Sequence, residues 1–178
     1  MRRRRFLGAC VGMVLGATAA LSAQDGLRIV PLVRDDQVVV SFDLADVYSE
    51  HVREAIASGL RTTVTYDIEL RMVVPGWVDR TIATSIVTIS DQYDNLTRRH
   101  LLSRSIDGRV VEALTTEDEA IAREWLTGVT RLPLVDTSRL DSRRDYYVRV
   151  AARARPNGAS LLNWASAISG QATFTFIP

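Results

Sequence analysis

The sequence predicts a mainly β protein: an antiparallel β-sandwich, immunoglobulin-like or similar, with two short α-helices in its connections. Three observations carry that reading. Residues 62 to 73 alternate strictly, with Val64, Tyr66, Ile68, Leu70 and Met72 on one face and Thr63, Thr65, Asp67, Glu69 and Arg71 on the other. That is the period of a half-buried strand. A second long run, Arg80 to Tyr93, is β-branched almost throughout and follows a Pro75-Gly76 turn, so the two runs pair as an antiparallel hairpin. The other apolar runs are short and bounded by turn residues, and only two segments carry a helical stripe. Many hairpins and few helices make a layered sheet structure.

Taken in order, Leu27 to Val33 reads as a strand, turned at Arg34-Asp35-Asp36, with Gln37 to Leu44 as its hairpin partner. In that partner Val38, Val40 and Phe42 face the core. A helix follows from about Ser49 to Ser58: Ser49 caps it, Val52, Ala55 and Ile56 form its apolar stripe, and Gly59 suits the left-handed stop. After the central hairpin, Asn95 to Ser105 reads as another strand, turned at Asp107-Gly108. Thr115 or Thr116 then caps a helix reaching about Thr127, with Thr116 and Glu119 spaced as a capping box and Gly128 ending it. Ala120, Ile121, Trp125 and Leu126 are its expected buried side. Val129 to Val135 contains Pro133 and reads as an edge or irregular strand. Asp145 to Arg155 is a strand with Tyr146, Val148, Val150, Ala152 and Ala154 inward. Pro156-Asn157-Gly158 turns the chain, and Ala172 to Ile177 closes it.

The first 23 residues read differently. Arg2 to Arg5 form a positive block, Phe6 to Ala20 carry no charge, and small residues gather at Ala19, Ala20, Ser22 and Ala23 before a polar stretch. This is the order of a secretory signal peptide, giving a leader over residues 1–23 and one β-sandwich domain over 24–178. The expected location is the periplasm or cell envelope. Arg3-Arg4-Arg5-Phe6-Leu7 also matches the twin-arginine export pattern, and an uncleaved inner-membrane anchor is the alternative, its apolar stretch being at the short end of a span. Leu7-Gly8-Ala9-Cys10 has the look of a lipoprotein box but lacks the apolar run that should precede it.

Charge narrows the partners. All 22 basic residues are Arg, and four of them lie in the first five positions. Residues 24–178 therefore hold 18 Arg against 21 acidic residues, a net charge of −3. A mildly acidic domain lacks the general attraction to phosphate backbones, so no nucleic acid partner is expected. The single cysteine, Cys10, lies in the leader, which leaves the mature domain without disulfide or thiol chemistry.

Several segments are similar to one known family. Tyr66-Asp67-Ile68-Glu69-Leu70-Arg71, Trp77-Val78-Asp79 and Tyr93-Asp94-Asn95-Leu96-Thr97-Arg98 resemble the conserved run of the bacterial domain-of-unknown-function family 4390. Arg131-Leu132-Pro133-Leu134, Tyr146-Tyr147-Val148-Arg149-Val150 and Trp164 fit the same order. The resemblance implies an exported, β-rich protein of the envelope. It implies no activity and no site residues.

Chemistry is sparse. The two histidines, His51 and His100, have no close partner of metal-ligating type and are expected at the surface. Asp91 and Asp94 are the carboxylates around which a calcium site would form, but no loop has the EF-hand spacing. No Gly-x-Ser-x-Gly elbow or Gly-rich phosphate loop occurs. Paired carboxylates of the glycosidase type would be Asp67 with Glu69 or Asp79. Asp67 and Glu69 stand about 7 Å apart on one strand face, where Arg71 makes a solvated, salt-bridged surface the better reading. No catalytic residue, metal or cofactor is assigned. The candidate interaction surface is Arg149, Arg153 and Arg155 on one face of their strand, with Arg139, Arg143 and Arg144 just before it, together with Trp77 at the hairpin tip. The Arg strip meets anionic headgroups or an acidic partner, or else pairs across strands with Asp67 and Glu69. Trp77 anchors a partner or membrane surface, or, the commoner outcome, folds back over the core. The favoured role is a non-enzymatic binding or scaffolding module for an envelope protein or membrane component. The alternatives are a carrier of a lipid or small apolar ligand, and an enzyme of unrecognised type.

Overall fold

The computed structural model describes residues 27–156 and 168–177, and within them every side chain except those of Leu27, Arg155 and Pro156. The expected leader, Trp164 and most of the Pro156-Asn157-Gly158 turn lie outside these residues.

The elements run β1 (Leu27–Arg34), β2 (Gln37–Leu44), α1 (Glu50–Ala57), β3 (Thr62–Met72), β4 (Arg80–Asp94), β5 (Arg99–Ile106), β6 (Arg109–Thr116), α2 (Glu119–Thr127), β7 (Gly128–Asp136), β8 (Asp145–Pro156) and β9 (Ile168–Thr175). They form two antiparallel sheets, one of three strands in the order β1-β2-β7 and one of six in the order β6-β5-β4-β3-β8-β9. The expected β-sandwich with two helices in its connections is what the chain adopts. At one side β1 lies beside β9, so the two sheets adjoin there.

Why these residues make these strands is clearest in β3. Its eleven residues alternate between buried and half-buried without a break, because β4 and β8 flank it on both sides and the small sheet covers its apolar face. Each fully buried side chain of the Tyr66 or Leu70 class stabilises the fold by roughly 1.5–3 kcal/mol. Phe42 of β2 meets Tyr66 across the sandwich, ring centroids 4.9 Å apart. The Tyr66 hydroxyl donates to the Leu126 carbonyl at 2.6 Å, so its buried polar end is satisfied. Val38, Val40, Phe42 and Leu44 of β2, and Tyr146, Val148, Val150 and Ala152 of β8, all face inward as expected.

Turn chemistry sets the hairpin registers. Asp35 and Asp36 both adopt positive φ (52° and 58°), and Asp107 and Gly108 do likewise (49° and 81°). Two successive left-handed residues make the two-residue turn whose twist matches the flanking strands, pairing Arg34 with Gln37 and Ile106 with Arg109. α1 is capped by Ser49, whose hydroxyl accepts from the Val52 amide, and it stops at Gly59 with φ +82°.

Three elements depart from the sequence reading. The strand expected from Asn95 starts at Arg99: Asp94 accepts from the amides of Leu96 and Thr97, and Arg98 turns at φ +59°, so Asn95–Arg98 is the turn itself. Residues 109–116, where the sequence reading places no strand and takes Thr115 or Thr116 as the helix cap, form β6. The helix consequently starts later, capped by Asp118 and not by Thr116; the Asp118 carboxylate accepts from the Ala120 amide. Entry from β6 rotates the buried side to Ala122, Leu126 and Thr127, leaving Ala120 exposed, Ile121 42% exposed and Trp125 half-buried. β7 is an edge strand as expected, paired with β2 through two register shifts, with Pro133 opposite Val39. β9 begins at Ile168, before the expected closing strand.

Candidate functional site

Among the described residues, an open groove of about 570 Å³ is lined by residues of both sheets and of α2. One wall is the outward row of the β1–β2 hairpin, where register sets Arg28 opposite Asp43 and Val30 opposite Ser41. The other wall is Arg104 of β5, Leu114 of β6, and Ile121 and Trp125 of α2. The groove exists because the three-stranded sheet is too narrow to cover the six-stranded one. β3 and β8 are roofed, whereas the inner face of β5 and β6 is left partly open.

Arg104 organises the groove's polar end. Its guanidinium sits 4.4 Å from the centroid of the Trp125 ring, pairs with Glu112 at 3.0 Å and donates to the Gly128 carbonyl at 3.4 Å. Burial pulls its pKa below the ordinary arginine value, and the charge of Glu112 opposes that shift. Its Nε and the Trp125 Nε1 are both buried without a hydrogen-bond partner. Beside the groove runs β6, an edge of the large sheet with no second strand partner among the described residues. Seven of its eight residues are exposed, including Val110 at 70%, Val111 at 55% and Leu114 at 37%. The register sets Val110 beside Ser105 and Leu114 beside the buried Leu102, so apolar side chains lie on both faces of the strand, and a bulge falls at Val111 between them.

A second cluster is internal. His100 of β5 is buried, and its Nδ1 lies 2.8 Å from the Asp91 Oδ2 of β4. This corrects the expectation of two surface histidines; His51 alone is exposed. The inner faces of β4 and β5 bring the two side chains together, and Tyr93 packs tilted on the imidazole at 4.8 Å. Asp91 is fully buried, and its Oδ1 has no partner. Burial pushes its carboxyl above the ordinary carboxylate value, against the lowering effect of His100. Nearby, burial and the neighbouring Glu119 raise the Tyr48 hydroxyl to about 12, and that hydroxyl donates to Glu119 at 3.1 Å. Among the described residues no serine or threonine hydroxyl hydrogen-bonds His100, and no group of three or more His, Cys, Asp or Glu could hold a metal ion. The dyad's evident work is to tie β4 to β5.

The predicted surface residues separate in space. Arg149 and Arg153 point outward from β8. Arg153 forms an ion pair with Asp67, and Arg149 stands opposite Glu69 in the β3–β8 register. The Arg155 side chain lies outside the described residues. Trp77 does not fold back over the core: it is 81% exposed at the β3–β4 tip. Asp94, the other residue weighed for calcium, is committed to its turn.

Fold and groove together define a β-sandwich module whose most evident open features are a strand edge and an apolar cleft. The chain belongs to the family described as domain of unknown function (DUF4390), whose model matches residues 27–161. No curated protein and no solved structure matches it. Sequence reasoning missed the groove because Arg104, Leu114 and Trp125 come from three elements with no shared spacing. The apolar pair Val110-Val111 in a polar stretch is a signal for the neighbouring β6 edge, not for the groove itself.

Proposed function

We propose that this protein is a non-enzymatic binding module of the cell envelope that receives an extended segment of a partner protein along β6. The observation that carries the reading is the open β6 edge, apolar on both faces and bordering the groove. Natural sheets blunt such edges unless they are used. Strand addition supplies backbone hydrogen bonds from the edge and selectivity from alternate side chains, here those lying toward Leu114 and Ile121. The envelope part of the reading rests on the Arg2–Arg5 block and its apolar tail. A photo-crosslinking residue placed at Val111 in whole cells tests it, with the 94% exposed Leu96 as control. A discrete adduct with one protein from position 111 and not from position 96 is expected. No adduct from 111, or the same adducts from both positions, overturns the reading.

A carrier of a small apolar ligand is the second reading, favoured by a groove volume within the usual range for small-molecule sites. Extraction of lipid from the protein isolated from its native envelope distinguishes it.

A further inference from the structure

We propose that the Trp77 end of the sandwich is a docking surface for an anionic lipid bilayer. This goes beyond the β6 reading and is independent of it. The β3–β4 connection holds Trp77 and Val78 out at 81% and 74% exposure. It does so rigidly. The Trp77 amide donates to the Val74 carbonyl. Asp79 accepts from the Val74 amide at 3.2 Å and from the Tyr147 hydroxyl at 2.9 Å, while Arg71 donates to the Asp79 carbonyl at 3.0 Å. A loop clamped this way presents its aromatic residue with little ordering left to be done on binding.

The sheet brings basic residues to the same end. Met72 pairs with Arg80 and with Tyr146, and Tyr146 with Phe174, so the start of β4, the end of β3, the start of β8 and the end of β9 form one rim. Arg143 and Arg144 enter that rim through backbone hydrogen bonds with Phe176, which sets the 77% exposed Ile177 beside them. With strands about 4.8 Å apart, the rim is about 15 Å across. Arg80, Arg143 and Arg144 are exposed and have no ionic partner among the described residues. Three acids share this end, Asp79 in the clamp, Asp145, which accepts from Thr175, and the exposed Asp141, and none of them forms an ion pair with Arg80, Arg143 or Arg144 among the described residues.

Three exposed apolar side chains flanked by arginines without ionic partners, on a domain whose net charge is −3, match a negatively charged surface with an apolar interior. Tryptophan favours the headgroup level of a bilayer, and each arginine close to an anionic leaflet strengthens binding about fivefold.

The test uses the full chain, the Trp77→Phe variant and vesicles whose acyl chains are brominated to quench tryptophan. The leader contains no tryptophan, so the emission difference between the two proteins reports Trp77 alone. In mixed phosphatidylcholine and phosphatidylglycerol vesicles that difference should be lost. It should persist in pure phosphatidylcholine vesicles and in the paired variant Arg143→Glu, Arg144→Glu, with circular dichroism confirming the fold. Unquenched Trp77 emission in the anionic vesicles overturns the proposal, and so does equal quenching in neutral ones. Burial of Trp77 only when envelope protein is added would make this rim a protein contact and overturn it as well.

Discussion

At the residue scale, the Asp91–His100 pair shows how a buried polar contact in a β-sandwich is both a bolt and a liability. Asp91 is fully enclosed and its Oδ1 is unmatched, so the hydrogen bond to His100 is what makes its burial tolerable. His100→Leu strands that carboxyl and should cost about 1–3 kcal/mol. The loss should grow as pH rises, because the stranded group escapes its burial penalty only by taking up a proton. Replacing both residues by Leu should cost less than the single change, since no polar group is then left unmatched. Urea midpoints of the three proteins check this order. In the native protein the folded-state pKa of Asp91 is raised above the ordinary 3.8. Folded molecules thus keep a proton that unfolded chains have released. Its contribution to stability is greatest in acid and is lost as pH rises through the raised value, and Asp91→Asn should flatten that part of the stability curve. Neither histidine could be placed from composition. His100 meets Asp91 only after the Asn95–Arg98 turn has fixed the β4–β5 register.

At the element scale, legibility follows burial. β3 was readable because both its neighbours and the opposite sheet force a strict two-residue period. β6 was not, because a strand exposing almost every residue has no inside to alternate with. Its valines are β-formers, but the pattern Arg109-Val110-Val111-Glu112-Ala113-Leu114 carries no face. The missed strand also explains the misplaced helix start, since Thr116 and Asp118 are both good capping residues and only the length of β6 chooses between them. Asp118→Ala should therefore lower stability by about 1 kcal/mol. Thr116→Ala, which removes only a hydroxyl accepting from the Asp118 amide, should cost less. Thermal melts of the two variants decide it. The candidate groove was less legible than any strand: its walls meet only after β1, β2, β5, β6 and α2 have all docked.

At the scale of the whole molecule, the two sheets are unequal, and stability should be graded across the larger one. β3 lies between two partners under the apolar roof, whereas β6 has one partner and buries almost nothing. Native-state hydrogen exchange should find the slowest amides in β3 and its neighbours, and the fastest strand amides along the outer side of β6. Comparable protection in the two strands would mean that β6 is covered in solution.

The seam between β1 and β9 reaches further than its size suggests. It joins the earliest and latest strands described, so it closes the longest loop the fold contains. Such closure is slow, and nothing built earlier in synthesis can stand in for it. Until β9 arrives, β8 presents a bare flank and the roof over Tyr146 lacks Phe174, its stacking neighbour. A growing chain would remain open along that side and would close only when β9 had paired with β8 and come to lie beside β1.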